Sequence, residues 1–333
     1  EVLEDTLSEA LSDKNYQVPL PDIELFYQQA GNWLGRAEKL LALWDRLHKE
    51  LQQNEMPMAC WLRLDEGGGG NMDISINASP IQAAEILRQQ LWGSCYAAVV
   101  TSATLRSLGN FNSLQRETGM PNSASYLSVA GAFNYAEAAT LRVPSDAVEG
   151  NSVEEHSRYI VDHFESMVED RAGTLLLFSS KRQMEQVYDE LSRDLHKLIL
   201  IQGQYSNREM VRLHKERIDQ GRTSVLMGLA SFAEGVDLPG DYCKHVVIAK
   251  LPFAVPDDPL QEALAEWIED NGGNSFFDIS LPIASLRLIQ ACGRLLRTES
   301  DTGTVSILDK RLITKRYGGQ LLNALPPFRR EIG

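Results

Sequence analysis

From residue 174 to residue 309, short runs of aliphatic residues alternate with stretches of helical periodicity. TLLLFSS (174–180), LILIQ (198–202), TSVLMG (223–228), HVVIAK (245–250) and TVSILD (304–309) read as strands. Met184, Val187, Tyr188 and Leu191 mark a helix after the first, Met210, Leu213 and Arg217 mark another after the second, and a long helical region runs from Pro282 through Arg297. Short β-rich runs separated by helices of about ten or more residues leave parallel crossovers as the natural connection. The predicted fold is therefore α/β, a doubly wound and largely parallel sheet, in which ligands bind at the carboxyl ends of the strands.

The first 128 residues are built differently. Residues 1–56 read as helical: Leu40, Leu43, Trp44, Leu47 and Leu51 recur at steps of three and four, with no proline between Pro21 and Pro57. Such a stripe predicts core packing. Further on, MACWLRL and NMDISINAS flank DEGGGG, which predicts two strands joined by a hairpin loop. The glycine tract is no phosphate loop, because GK[ST] does not follow it and the next segment is a strand. Ile81 to Trp92 predicts a helix with Pro80 at its start, and AAVVTSATL (97–105) predicts a buried strand ending in hydroxyl residues.

With 46 acidic and 32 basic side chains, a formal charge of −14 argues against a non-specific nucleic-acid binder. The charge is unevenly spread: residues 1–56 hold 11 Asp/Glu against 5 Lys/Arg, whereas residues 284–333 hold 9 Lys/Arg against 4 Asp/Glu. Any anion-binding function is therefore local and lies toward the C-terminus. Cys60, Cys95, Cys243 and Cys292 have no metal-ligand spacing and read as buried thiols. No apolar run approaches the roughly 20 residues of a membrane span, and EVLEDTLSEA lacks the regions of a signal peptide. The expectation is a soluble, cytoplasmic chain. Its start at Glu1, directly in helix-like sequence, suggests a fragment or processed product.

Three segments carry candidate chemistry. TSATL (101–105) ends its predicted strand in two hydroxyls, Ser102 and Thr104, which can relay hydrogen bonds between ligands or simply cap the strand. GLASFAEGVDLPG (228–240) combines glycines for close backbone approach with Glu234 and Asp237, suited to a ribose hydroxyl or a water near phosphate; a turn-rich solvated loop is the plain alternative. In QACGRLLR (290–297), a helix would place Gln290, Arg294 and Arg297 on one face at i, i+4 and i+7. Two guanidiniums converging there suit a polyphosphate, and Gly293, costing about 1 kcal/mol in a helix interior, suggests that something approaches the backbone. A basic helix face in water is the alternative.

In this order, TSATL, TLLLFSS, GLASFAEGVDLPG and QACGRLLR resemble motifs III to VI of superfamily 2 helicases, and the wording EGVDLPG and QACGRLLR resembles the XPD-like iron–sulfur branch. The resemblance covers roughly residues 58–333. It implies two RecA-like lobes that clamp ATP and Mg²⁺ between them and move 5′ to 3′ along single-stranded DNA, coupled to DNA repair. By position, it implies that Arg294 and Arg297 reach the γ-phosphate with Gln290 beside the nucleotide, that Glu234, Gly235 and Asp237 face nucleotide and DNA, and that Ser102 and Thr104 couple the two ligands. Ser179 and Ser180 would hold DNA phosphates, and Phe232 would touch DNA or pack in the core.

The departures are equally informative. Neither GxxxxGK[ST] nor a DEAH-like box occurs in the 333 residues, and the resemblance puts the four ligands of a [4Fe–4S] cluster upstream. Residues 1–56 would be the closing part of a helical arch, 57–128 the returning end of an incomplete first lobe, and 129–333 the whole second lobe. Such a fragment is expected to be inactive alone, monomeric, without a metal site, and in the complete protein a partner of single-stranded DNA and of single-stranded-DNA-binding protein. The competing expectation is a non-catalytic RecA-like module that binds nucleic acid or protein.

Overall fold

The computed structural model describes residues 20–48, 57–66, 72–254 and 258–333. The chain divides into two compact units, one made of residues 1–82 and 256–271, the other of residues 83–255 and 272–333.

In the smaller unit, helix α1 (Leu20–His48) precedes an antiparallel hairpin of β1 (Met58–Glu66) and β2 (Met72–Pro80), paired from Met58↔Pro80 to Glu66↔Met72. The hairpin is as predicted; its DEGGGG turn lies mostly outside the described residues. The apolar stripe of α1 is not a core, since Leu40 and Trp44 are both largely exposed, while the Leu47 side chain and Leu51 lie outside the description. Periodicity reported the helix correctly, and Leu43 on the same stripe is half-buried. No described helix is long and apolar enough to cross a membrane.

The larger unit holds a seven-stranded sheet. Its strands are β3 (Ala139–Val143), β4 (Gly173–Phe178), β5 (Ile199–Ile201), β6 (Ser224–Leu229), β7 (His245–Ile248), β8 (Gly303–Ile307) and β9 (Arg329–Ile332). They lie in the order β5-β6-β4-β7-β8-β3-β9, and every pairing is parallel. Helices α2 (Val153–Met167), α3 (Lys181–Glu190), α4 (Asn207–Asp219) and α5 (Leu281–Cys292) provide crossovers. Three of the four N-termini are closed by serine: Ser152, Ser180 and Ser206 accept from the backbone N–H of Glu155, Gln183 and Glu209.

Alternation along the central strands sorts their side chains into two cores. Leu175, Leu177, Val246 and Ile248 enter one, and Leu176, Phe178 and Val247 the other. Burial on both faces is why these strands read as unbroken apolar runs. Glycine permits the closest backbone approach: a Cβ on Gly173 would lie 1.9 Å from the Tyr242 carbonyl oxygen.

Two expectations fail. Residues 97–105 form no strand; Val99 is 92% exposed, and no described strand lies alongside to share its backbone hydrogen bonds. An apolar run becomes a buried strand only with a neighbouring ladder. The thiols of Cys243 and Cys292 are buried, with burial pushing both up to about 12, but Cys60 and Cys95 are exposed. Gly293 ends α5 with a right-handed φ of −66°, and an added Cβ there would meet the carbonyls of Ile289 and Gln290.

Candidate anion-binding site at the amino end of the sheet

The helix α5 stops at Cys292, so QACGRLLR is not the continuous helix its spacing predicts. Tightened bonds from Arg294 N to Ala291 O (3.1 Å) and from Leu295 N to Cys292 O (3.2 Å) turn the chain, and Leu295 and Leu296 anchor the turn in the core. Arg294 and Arg297 still converge. Arg294 Nη1 donates to the Val236 carbonyl at 3.4 Å, and Arg297 Nη2 donates to the same oxygen at 3.0 Å. Arg297 Nε also lies 3.3 Å from Asp237 Oδ1. Gln290, half-buried, is one turn back on α5.

The loop that receives them follows the short helix Ala230–Glu234 after β6. Val236 and Leu238 point into the core, so Asp237 between them must point outward, and its side chain is 76% exposed. That is the work of the VDL pattern: two apolar pins hold one carboxylate out. Glu234 ends this helix, its side chain lying outside the description, and Gly235 is exposed, its N–H donating to the Phe232 carbonyl at 3.4 Å. Phe232 itself is 1% exposed and among the largest buried side chains, with a ring carbon 2.7 Å from where a Gly228 Cβ would stand. It is a core residue, and the expected DNA contact through it is withdrawn.

A carboxylate that sequence reasoning passed over locks the two segments together. Asp301, buried, accepts from Arg297 N (2.7 Å), Thr298 N (2.9 Å), Thr298 Oγ1 (2.7 Å) and Gly240 N (3.1 Å). Burial pushes its pKa up, but the hydrogen bonds from Thr298, Arg297 and Gly240 outweigh burial and hold it below the usual value. Gly240 sits at φ +65°, the left-handed bend that returns the loop to β7. An acid four residues beyond Arg297 in the turn TESD is the signal that could have identified it, since aspartate fixes turns by accepting from nearby backbone N–H groups.

Topology then places the site. In a parallel crossover the end of α5 lies at the amino end of β8, and the Gly240 turn leads into the amino end of β7. The arginine pair therefore sits at the amino edge, not at the carboxyl ends where ligands were expected. Ser179 and Ser180 are at the opposite, carboxyl end of β4, both exposed. Ser102 is exposed too and Thr104 half-buried, and they bond to each other: Thr104 N donates to Ser102 Oγ at 3.2 Å, and the hydroxyls lie 3.4 Å apart. Their segment is tied to α5 further on, where Leu108 N donates to Ser285 Oγ at 3.2 Å.

Two guanidiniums directed at one carbonyl, with an exposed carboxylate occupying one fork, make a turn able to grip a multiply charged anion. The matching family model describes a helicase C-terminal domain and covers residues 164–328, from the last turn of α2 to the residue before β9. Residues 164–328 are thus similar to a helicase C-terminal domain. The whole chain is 38% identical over 99% of its length to the ATP-dependent DNA helicase DinG of Photobacterium profundum, and 36% identical over 96% of its length to DinG of Escherichia coli. The chain spans 48% and 45% of those two relatives, about half of each. Among solved structures, an XPD helicase superposes on 80% of this chain and 48% of its own with a TM-score of 0.55 at 18% identity. The α/β fold of this chain is thus like that of the XPD helicase, and strands β4 to β8 lie within the matched residues.

Among the described residues, no group of three or more His, Cys, Asp or Glu side chains is placed to hold a metal ion.

Proposed function

We propose that this chain is the C-terminal part of an ATP-dependent DNA helicase that moves 5′ to 3′ on single-stranded or forked DNA and R-loops in repair and replication. Residues 129–333 would be its second RecA-like lobe, 57–128 the returning end of the first, and 1–56 the closing part of a helical arch. The relatives named as DinG support the activity, and the observation that carries it to residues is the convergence of Arg294 and Arg297 on Val236.

The arginine turn fits a nucleotide polyphosphate. One arm of the Arg297 fork already faces a carboxylate, that of Asp237, and a phosphate oxygen would take the same donors. Bound ATP supplies a phosphoanhydride whose breakage can be coupled to movement. Arg294 and Arg297 would then neutralise charge on the terminal phosphate, Gln290 would lie beside them, and Glu234, Gly235 and Asp237 would orient polar groups around the nucleotide. Ser102 and Thr104 would couple the nucleotide to the DNA, whose phosphates Ser179 and Ser180 would hold. Asp301 is a positioning residue, because it fixes the backbone from which Arg297 projects.

The phosphate-cradling loop, most of the Mg²⁺ ligation and the [4Fe–4S] cluster belong, in this reading, to the part of the longer protein that precedes residue 1. The complete enzyme would be cytoplasmic and monomeric and would work beside single-stranded-DNA-binding protein. Supplied with ATP, Mg²⁺ and single-stranded DNA, the purified 333-residue chain is expected to release no phosphate above background. Turnover that disappears on Arg294→Ala would refute the reading that this chain holds one wall of a two-walled site.

A further inference from the structure

We propose that Lys250, at the carboxyl end of the central strand β7, binds a phosphodiester of single-stranded DNA and extends the contact expected at Ser179 and Ser180. The inference rests on the helicase reading but assigns a residue that the helicase motifs leave out.

The backbone around Lys250 is fixed on both sides. Ala249 N donates to Leu177 O at 2.9 Å, and Leu251 N donates to Asp309 Oδ2 at 3.0 Å. The last pair of β4 and β7 is Leu177↔Ile248, and Ser179 and Lys250 each follow it by two residues at the same end of the sheet. The lysine therefore stands on the same edge of the sheet as the two serines, and at the opposite edge from the arginine turn.

Asp309, the acid nearest to it, is fully engaged. It is 0% exposed and accepts from Arg311 Nε (2.9 Å), Arg311 Nη2 (2.6 Å), Arg311 N (3.1 Å) and Leu251 N (3.0 Å), with Gly150 N at 3.5 Å. Those donors fill the carboxylate and neutralise it with arginine. Among the described residues, the Lys250 ammonium has neither a hydrogen bond nor an ion pair. Its stem is held in place: a Cβ on Gly150 would come within 3.0 Å of Lys250 Cγ. Partial burial, and then the Arg311 charge, hold its pKa below the ordinary lysine value, against the pull of Asp309. A cation held in place, half-desolvated and crowded by a second cation gains from an anion arriving from solvent. A single lysine positions a phosphate without reading sequence, so the site should be indifferent to base identity.

The test uses the 333-residue chain and a thymidine oligonucleotide. Lysine acetylation followed by mass spectrometry should show Lys250 protected by the oligonucleotide and not by ATP. In fluorescence anisotropy, Lys250→Gln should weaken binding roughly three- to fivefold and reduce the slope of log K against log[NaCl] by about 0.7. Lys250→Arg should restore both. Lys197→Gln removes an exposed lysine just before the amino end of β5 and should change neither. If wild type binds DNA but Lys250 stays reactive, if ATP protects it, or if Lys197→Gln matches Lys250→Gln, the assignment of Lys250 is wrong and the DNA reading stands. If the wild-type chain binds no oligonucleotide, both fall.

Discussion

Asp301 and two buried histidines show what single residues contribute here. Asn in place of Asp301 keeps one acceptor oxygen but turns an amide NH₂ toward the N–H groups of Arg297, Thr298 and Gly240. Leaving buried donors unpaired costs about 1–3 kcal/mol, so Asp301→Asn should lower the stability read by chemical denaturation by that amount. In the complete enzyme it should reduce kcat more than it raises KM for ATP, because Arg297 is displaced rather than removed. His214 bonds to Ser224 Oγ and the Tyr242 carbonyl, and His245 to the Met167 carbonyl and Ser306 Oγ. Burial drives both pKa values down to about 4. The unfolded chain takes up these protons near pH 6.5 while the folded chain does not, so stability is intact above that pH and falls as pH drops from about 6.5 toward 4. Urea denaturation at pH 7.0, 6.0 and 5.0 should show a loss on the order of 1 kcal/mol per histidine per pH unit. His214→Asn should flatten that dependence.

At the scale of elements, Gly173 tests how tightly β4 is packed. Its missing side chain admits the Tyr242 carbonyl, so Gly173→Ala should destabilise by about 1–3 kcal/mol in thermal or chemical denaturation. Strands β4 to β8 were legible because burial on both faces leaves long aliphatic runs. The two remaining strands were not. ATLRV of β3 is short and carries Arg142, and RREI of β9 is exposed throughout, as a polar edge strand must be to resist further pairing. Residues 97–105 had the composition of a strand, but strand formation also needs a neighbour, which composition cannot report. The arginines were found from spacing, although a helix that ends at Cys292 made that spacing accidental. Val236 and Asp301 meet them only through contacts 58 or more residues distant, or through a turn, for which periodicity has no signal.

In the molecule as a whole, the larger unit has candidate sites at both ends of one sheet. The amino edge carries Arg294, Arg297 and Asp237; the carboxyl edge carries Ser179, Ser180 and Lys250. One connection reaches both, because residues 229–240 leave the carboxyl end of β6 and return at the amino end of β7, pinned along the way by Phe232, Val236 and Leu238. Movement of a nucleotide at one edge would therefore be felt at the other through a packed segment. The most direct test of this account is DNA-stimulated ATP hydrolysis by the full-length protein carrying Arg294→Ala or Arg297→Ala, read beside its affinity for single-stranded DNA. Charge-neutralising arginines of this kind contribute about 10³–10⁵ in rate in the GTPases where they have been quantified. The account predicts a loss of at least about 10³-fold in hydrolysis, with DNA affinity nearly unchanged. Hydrolysis at the wild-type rate in both variants would contradict it.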